Sequence, residues 1–386
     1  MNNTSVFNIK IDFDKSYGSF IFDKTTNKSY LDFMGMYSSL PVGYNHSLFK
    51  NPSFKKDIEK ISPLKLVNCE ILSDEFNDFY NTFKSFTSLN KYSNYHFTCT
   101  GALANEAAIK TAMWYKGPRP DGYILSIKNS FHGINSFGNI ITSRFPNVQV
   151  RQGSLPGEYT WPVADNLQQA IDHVNSNPYN LQGVIIEPIQ ATFGDNYLNK
   201  SLLKKLAKVC SKNDIPLIFD EVQTGFLTSG TTWYFEQLNI FPDIVVFGKK
   251  TQVSGIMVKE SHSKVFENQK RLSVTYDGDL VDMVRSKYIM DYLANNNIIK
   301  NVNKQGKKLY KGLKKLPQLK NLRQTGLLIA FDFETSEKRN IFYQNLYLNQ
   351  MICNPTGEKS IRMRPNLCVT DEEIKISLEK IKASLK

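Results

Sequence analysis

Short apolar runs that end in charged residues dominate the middle of this 386-residue sequence. The three clearest are GVIIEP at 183–188, PLIFDE at 216–221 and DIVVFG at 243–248. Continuous apolar strands are typical of a parallel sheet that is buried on both faces, and the helical segments between the runs supply the cover. The sequence therefore predicts an α/β fold, with a mostly parallel central sheet flanked by helices.

Charged residues stand where these predicted strands end. Ligands of parallel sheets bind beyond the carboxyl ends of the strands, and that rule selects Glu187, Asp220, Glu221 and Lys249. A buried charge is costly unless it is paired. A cofactor with a cationic ring nitrogen and an aldehyde would pair with Asp220 and Lys249 respectively, because a desolvated lysine forms imines. Each residue taken alone also fits an exposed loop.

Two further segments have the character of a cofactor site. In FTCTGALANEAAIK, at 97–110, a glycine precedes a strong helix-forming run, and a helix amino terminus binds phosphate through its backbone N–H groups. Phe131 follows the apolar run GYILSI at 122–127. An ordinary helix start explains the segment at 97–110 equally well. Phe131 could equally pack in the core or stack on a ring.

The sequence predicts three parts. Residues 1–50 contain a hairpin pattern and form an N-terminal segment that packs with the small domain, and residues 51–279 form the large domain. Residues 280–386 form a smaller α+β domain. It begins with a long helical segment at about 280–316 and ends with a helix that starts at a capping box of Thr370 and Glu373.

Composition excludes several classes of protein. The formal charge is +12, but the lysines are scattered and no nucleic-acid-binding motif accompanies them, so we expect no nucleic-acid partner. No apolar run reaches ~18 residues, and no signal peptide is visible, which predicts a cytoplasmic protein without a membrane span. The five dispersed cysteines predict small core residues, with neither disulfides nor a zinc site, and the histidine spacing predicts no metal.

Nine segments of the sequence, in their order along the chain, resemble the class III aminotransferases, which have fold type I among pyridoxal phosphate enzymes. GALA, FGKKTQVSGIM and SIRMRP look most like L-lysine 6-aminotransferases and GABA aminotransferases. The matching segments cover nearly the whole chain: YLDF (30–33), TGALANEAAIK (100–110), FHG (131–133), EPIQ (187–190), GD (194–195), IFDEVQTGF (218–226), PDIVVFGKK (242–250), VTYDGDL (274–280) and SIRMRP (360–365).

The resemblance implies a transaminase that carries pyridoxal 5'-phosphate as a Schiff base on Lys249. This lysine would also move the proton between substrate and cofactor, with its neighbour Lys250 as a rival for both roles. Asp220 would pair with the pyridine nitrogen, Val222 would lie behind the ring, and Gln223 would reach the phenolic oxygen. An amino group would pass from an amino acid or amine donor to a keto acceptor.

The remaining site residues are likewise implied by the resemblance. Phe131 would stack on the other face of the ring, and Gly101 and Ala102 would bind the phosphate. Thr275 would reach the phosphate of the neighbouring subunit, so the smallest unit would be a homodimer with shared active sites. Arg362 would bind the substrate carboxylate through a bidentate contact.

Two departures from the family pattern concern the substrate. Where the family usually has a glutamate after EPIQ, this chain has Thr192, and Phe193 fills a glycine position. Ile134 stands where FHG is commonly followed by an arginine that holds a second carboxylate. The substrate pocket is therefore predicted to be more apolar, and Arg144 and Arg151 are both open as substitutes for that arginine.

Two other functions fit the same residues. A pyridoxal phosphate-dependent isomerase, aminomutase or decarboxylase would use the same Lys249 and Asp220, since the electron-withdrawing ring serves any carbanion. A non-catalytic binding protein would retain the fold but not require the lysine. Transamination is the function that the motifs favour.

Overall fold

The computed structural model describes residues 7–66, 71–144 and 161–386. Cys69, one of the five cysteines, and Arg151, one of the two arginines considered as substitutes, lie outside these ranges. The chain divides into two compact units. The first contains the described residues within Asp57–Phe226 and Thr231–Asp291. The second contains the described residues up to Lys56, together with Leu227–Gly230 and Tyr292–Lys386.

Strands and α-helices alternate through most of the described chain. The strands are β1 (Ile11–Tyr17), β2 (Phe20–Asp23), β3 (Lys28–Asp32), β4 (Asn94–Thr98), β5 (Tyr123–Ile127), β6 (Val163–Ala164), β7 (Leu181–Ile186), β8 (Ile189–Gln190), β9 (Asn196–Tyr197), β10 (Leu217–Asp220), β11 (Ile244–Phe247), β12 (Ser254–Val258), β13 (Lys320–Thr325), β14 (Leu328–Asp332), β15 (Met351–Ile352), β16 (Asn354–Thr356) and β17 (Ser360–Met363). The helices are α1 (Pro52–Ile61), α2 (Asp74–Thr87), α3 (Gly101–Lys116), α4 (Ser136–Ile141), α5 (Leu167–Ser176), α6 (Lys200–Lys212), α7 (Tyr234–Leu238), α8 (Leu280–Asn295), α9 (Ile298–Leu313), α10 (Ser336–Leu348) and α11 (Asp371–Ser384).

The first unit is built on a seven-stranded sheet in the order β4-β12-β11-β10-β7-β5-β6. The neighbours from β11 to β6 are parallel, and β12 is antiparallel to both β11 and β4. Every residue of β7, β10 and β11 is buried. The prediction of a mostly parallel sheet from continuous apolar runs is confirmed, and burial on both faces is the physical reason for the runs.

Helix α3 packs closely on this sheet because its buried face is made of small residues. Ala104, Ala108 and Ala112 are fully buried in the same core cluster as Ile185, Ile218 and Ile244 of the strands. Alanine on a helix allows the backbone to approach the sheet and costs little side-chain entropy. This contact holds the amino terminus of α3 beside the carboxyl ends of the central strands.

The second unit contains two four-stranded sheets, ordered β1-β2-β3-β15 and β13-β14-β17-β16. The predicted N-terminal hairpin is confirmed as β2 and β3, which pair in antiparallel fashion around Asn27 in a left-handed conformation. The predicted capping box is also present: Thr370 N–H donates to Glu373 Oε2 at 2.7 Å, and Glu373 N–H donates to Thr370 Oγ1 at 3.2 Å.

Two predictions about local structure are corrected. The long helical segment predicted at 280–316 is two helices, α8 and α9, because Asn297 adopts a left-handed conformation with φ of 49°. Asparagine tolerates that conformation better than most residues. The prediction that each cysteine is a core residue is wrong for Cys99, which is exposed, whereas Cys210 and Cys353 are buried. Among the described helices, none has the length and hydropathy needed to cross a membrane.

Candidate functional site

The carboxyl ends of three adjacent parallel strands bring the predicted charged residues to one edge of the sheet. Strand β10 lies between β7 and β11, with Phe219 opposite Ile186 and Asp220 opposite Val246. Glu187 directly follows β7, and Lys249 follows β11 after Gly248. The strand register therefore places Glu187, Asp220 and Lys249 at the edge where parallel sheets bind their ligands.

Asp220 is a buried carboxylate with three hydrogen-bond contacts at this edge. Its side chain is only 5% exposed. Oδ2 accepts a hydrogen bond from Asn105 Nδ2 at 3.0 Å and lies 2.9 Å from His132 Nδ1, while Oδ1 accepts from the Val222 N–H at 3.1 Å. These contacts fix the plane of the carboxylate. Sequence reasoning did not select Asn105 and His132, although a polar residue in an otherwise alanine-rich helix face was a signal for Asn105.

The adjacent Glu221 has a different role from the one the strand-end rule suggested. Its carboxylate accepts the N–H groups of Tyr234 at 3.0 Å and Phe235 at 2.8 Å, at the start of α7, and a bond from the Thr224 hydroxyl. Burial raises its pKa to about 7, against the lowering effect of these donors. Glu221 therefore anchors a helix inside the fold.

The two consecutive lysines differ in exposure. Lys250 is almost completely buried, whereas Lys249 is half-buried. Lys249 begins a short 3₁₀ turn and has φ of 58°, a left-handed conformation that is strained for a lysine. The preceding Gly248 leaves little room for a side chain, since an added Cβ would lie 2.7 Å from Ser254 Oγ. The chain thus turns sharply at Lys249 directly after the strand.

The amino terminus of α3 forms a cradle of small residues. The side chain of Thr100 caps the helix by accepting the Leu103 N–H at 3.3 Å. A Cβ added to Gly101 would lie 3.2 Å from Val222 Cγ1, so the glycine is in close contact with the residue two positions after Asp220. The first N–H groups of a helix have no intrahelical acceptor. Gly101 and Ala102 therefore offer donors to an anion at this point.

The segment that contains Phe131 is fixed to the same strand ends. The Phe131 N–H donates to Glu187 Oε1 at 2.7 Å, and the next residue, His132, contacts Asp220. Phe131 is half-buried. The guanidinium carbon of Arg144 lies 5.1 Å from the centre of the Phe131 ring. The structure therefore places both Phe131 and Arg144 at the site. The sequence alone had not decided whether Phe131 packs in the core, or whether Arg144 lies near the site.

The polar groups of this edge fit pyridoxal phosphate. Gln223 Oε1 and His132 Nε2 are buried without a hydrogen-bond partner within the described part of the chain. Buried polar atoms of this kind are uncommon and indicate a missing partner. A phosphate at Gly101, a ring nitrogen at the Asp220 carboxylate and a ring oxygen at the Gln223 amide would supply partners of the required type. The site residues are thus compatible with this cofactor.

The residues that the resemblance assigns to the substrate are found in different surroundings. Thr192 is half-buried, and its hydroxyl oxygen has no hydrogen-bond partner among the described residues. Ile134 is 64% exposed and Phe193 is 39% exposed. Arg362 lies in β17, within the second unit, and is 7% exposed. The two apolar residues that replace the family's usual residues, Ile134 and Phe193, are therefore both accessible to solvent.

Thr275 lies in an exposed loop before α8. Its neighbours Val274 and Tyr276 are 58% and 44% exposed. The loop is closed by Asp277 Oδ1, which accepts the Val274 N–H at 3.0 Å, and the Cys99 thiol lies 3.4 Å from the Tyr276 carbonyl oxygen. Since Cys99 comes just before α3, the Thr275 loop is attached to the segment that forms the phosphate cradle.

Comparison with known proteins gives one consistent result. The family model described as aminotransferase class-III matches residues 1–385. The L-lysine-epsilon aminotransferase of Streptomyces clavuligerus is 30% identical, over 98% of this chain and 91% of its own length. The 4-aminobutyrate aminotransferase of Schizosaccharomyces pombe is 29% identical, over 98% of this chain and 90% of its own. The lysine aminotransferase of M. tuberculosis, solved in the internal aldimine form, superposes with a TM-score of 0.93 at 28% identity, covering 100% of this chain and 96% of that one.

Proposed function

The chain belongs to the class III aminotransferase family, and on this premise we propose that Lys249 and Asp220 carry its pyridoxal phosphate-dependent transamination. The reaction moves an amino group from an amino donor to a keto acceptor. The observation that carries the residue assignment is the buried Asp220 carboxylate, oriented by Asn105 and His132 at the strand next to the one that leads to Lys249.

Lys249 acts as the covalent anchor and as the proton carrier. Bound pyridoxal phosphate supplies a cationic ring that draws electron density away from the reacting carbon of the substrate. Lys249 is half-buried, so its side chain is accessible, and the amine of a lysine is the nucleophile that forms an imine with an aldehyde. With the cofactor bound, the Lys249 Nζ would take up a proton from the substrate and return it. The fully buried Lys250 is a poorer candidate because substrate has no access to it.

The other cofactor residues orient the ring. Asp220 would accept a hydrogen bond from the ring nitrogen and keep it protonated, while Gln223 would bind the ring oxygen. Val222, which lies next to Gly101, would pack on one face of the ring and Phe131 on the other. This assignment is supported by the hydrogen bonds from the backbone of Val222 to Asp220 and from that of Phe131 to Glu187.

The N–H groups of Gly101 and Ala102 would bind the phosphate, together with Thr275 from the neighbouring subunit. The exposure of the Thr275 loop and its attachment near α3 support a homodimer with shared active sites.

Residues 51–279 form the cofactor-binding domain, residues 280–386 form the small domain, and residues 1–50 pack with the small domain. A cytoplasmic location is part of the proposal, supported by the four free thiols of the described cysteines.

Arg362 binds a substrate carboxylate, while Thr192 and Ile134 line the donor side of the pocket. The similarity to L-lysine-epsilon and 4-aminobutyrate aminotransferases supports a donor whose transferred amino group lies far from a carboxylate. The exposed apolar surfaces of Ile134 and Phe193 support a donor with an apolar chain between these groups. A panel of ω-amino acids of increasing chain length is the suitable donor screen.

Substitution of the two lysines tests the covalent assignment. We expect Lys249→Ala to abolish turnover and Lys250→Ala to retain it if the protein remains folded, because only Lys249 is accessible to substrate. Borohydride reduction of wild-type protein followed by peptide mass spectrometry should find the cofactor on Lys249. An adduct on Lys250, or an active Lys249→Ala variant, contradicts the assignment.

A single-turnover experiment tests the reaction type with the same protein. With a donor and no keto acceptor, a transaminase releases one keto product per active site and then stops. Continued turnover of the donor under these conditions would instead support an isomerase or a decarboxylase.

A further inference from the structure

The loop that carries Thr275, residues 273–279, contains a buried acid. Val274 and Tyr276 are 58% and 44% exposed, whereas Asp277 is only 5% exposed. Burial of a carboxylate costs free energy unless other groups compensate its charge. Its Oδ2 is buried and has no hydrogen-bond partner among the residues that the structure describes. An acid at this position is therefore not explained by stability alone.

Asp277 closes the loop around Thr275. Its Oδ1 accepts the Val274 N–H at 3.0 Å, so the hydrogen bond joins the residue before Thr275 to a residue after it. The next residue, Gly278, has φ of 77°, and a Cβ added to it would lie 2.8 Å from Met283 Cε in α8. Thr275 therefore lies within a turn whose two ends are both held.

The same carboxylate faces β4, the strand that leads to the phosphate cradle. Asp277 Oδ1 lies 3.9 Å from His96 Nε2. Burial lowers the pKa of His96, while the Asp277 carboxylate acts in the opposite direction, so the imidazole is neutral at pH 7. Three residues further on, the Cys99 thiol lies 3.4 Å from the Tyr276 carbonyl oxygen. Because the chain continues from Cys99 to Gly101, the loop and the phosphate cradle are attached to the same strand.

We infer that Asp277 is a positioning residue for cofactor binding: it holds Thr275 in the orientation from which Thr275 reaches the phosphate of the neighbouring subunit. This inference rests on the proposed function, because it requires that contact between Thr275 and the phosphate. Asp277 acts through Thr275 and touches neither the cofactor nor the substrate. Its effect is therefore confined to the phosphate and does not extend to the ring or the aldehyde.

Titration of the cofactor-free protein with two aldehydes tests this inference. Pyridoxal has the ring and the aldehyde of pyridoxal phosphate but lacks the phosphate, so it reports binding without the contact to Thr275. Each aldehyde is titrated into wild-type protein and into Asp277→Ala, and its absorbance is followed. The variant should bind pyridoxal phosphate about 3–30-fold more weakly, as expected for a misplaced hydrogen bond to a charged group, and pyridoxal less than about 2-fold more weakly.

Two further variants separate positioning from stability. Asp277→Asn keeps an oxygen that accepts the Val274 N–H, so it should retain the wild-type ratio of the two affinities. Its thermal stability should be no lower than that of the wild-type protein, because no charge is buried. Asp279→Ala is the matched control in the same loop, since Asp279 Oδ1 accepts the Val281 N–H at 2.9 Å at the start of α8. It should lower the thermal stability and leave the ratio of affinities unchanged.

The double variant Thr275→Ala/Asp277→Ala shows whether Asp277 acts through Thr275. It should bind pyridoxal phosphate no more weakly than Thr275→Ala alone, because residues that act through one contact are not additive. Additive losses, or an equal loss of both aldehydes in Asp277→Ala, would overturn the inference. Unchanged affinity in Thr275→Ala would reject the assignment of Thr275 and the inference with it. Failure of the proposed function would show earlier, as wild-type protein that takes up no cofactor on Lys249.

Discussion

Two consecutive acids at the end of β10 have entirely different hydrogen-bond partners because their side chains point in opposite directions. Successive residues of an extended chain alternate between faces. Asp220 therefore faces Asn105 and His132, while Glu221 faces the first N–H groups of α7. Both carboxylates are buried, at 5% and 1% exposure, so burial does not distinguish the proposed cofactor residue from the structural one. The identity of the hydrogen-bond donors does.

This contrast gives a prediction for a matched pair of variants. Asp220→Asn keeps the size of the side chain but removes the negative charge that holds the ring nitrogen protonated. We expect kcat to fall by roughly 10²–10⁴-fold, the range typical of a lost acid–base contribution, while Lys249 still binds the cofactor. Steady-state kinetics and the cofactor absorbance spectrum provide the two measurements.

Glu221→Gln is the control, and its kcat should stay close to that of the wild-type protein. Equal losses of kcat in the two variants would mean that both act through the stability of the strand end. In that case the special role of Asp220 would be rejected.

At the scale of elements, the amino terminus of α7 is held by a carboxylate whose pKa is raised to about 7 by burial. The ordinary value is 4.5, so between pH 4.5 and 7 the folded state binds more protons than the unfolded state. Stability contributed by this group is therefore present at low pH and is lost as the pH rises through this window. The full effect amounts to at most about 3 kcal/mol.

Glu221→Gln should remove this part of the pH dependence. We expect the urea midpoint of wild-type protein to decrease more between pH 5 and pH 7.5 than that of the variant. Denaturation at several pH values within this window, in the presence of saturating cofactor, is the measurement. Parallel curves for the two proteins would contradict the assignment of the raised pKa to Glu221.

At the scale of the whole molecule, the proposal requires two chains for each active site. If Thr275 acts on the phosphate of the neighbouring subunit, a mixed dimer of Lys249→Ala and Thr275→Ala chains contains one intact site. That site combines Lys249 from one chain with Thr275 from the other. The second site lacks both residues.

We therefore expect activity to appear when the two inactive or weakened variants are refolded or co-expressed together. The specific activity of the mixture should exceed the mean of the two variants measured separately. Activity no higher than that mean would place Thr275 at the site of its own chain. A monomer in light-scattering measurements would equally contradict the shared site.

The sequence alone was sufficient for the central sheet because its physical signature is local. Strands buried on both faces must be apolar throughout, as in β7, β10 and β11, and their ends must carry the polar groups. The order of motifs along the chain was likewise sufficient for the family. Helix boundaries were predicted less well: the break at Asn297 depends on one left-handed residue within an asparagine-rich stretch.

The tertiary structure decided which side chains meet. Asn105 and His132 lie 115 and 88 positions from Asp220 in the sequence, so no local pattern could indicate that both contact its carboxylate. The same holds for Arg144, which sequence reasoning left as one of two open alternatives and which lies against Phe131 in the structure. Sequence periodicity and composition indicate which faces of a helix or strand are buried. Contacts between residues that are distant in the sequence form only when the helices and strands pack together. The sequence thus determined the fold and the reaction, and the packing determined the detailed arrangement of the site.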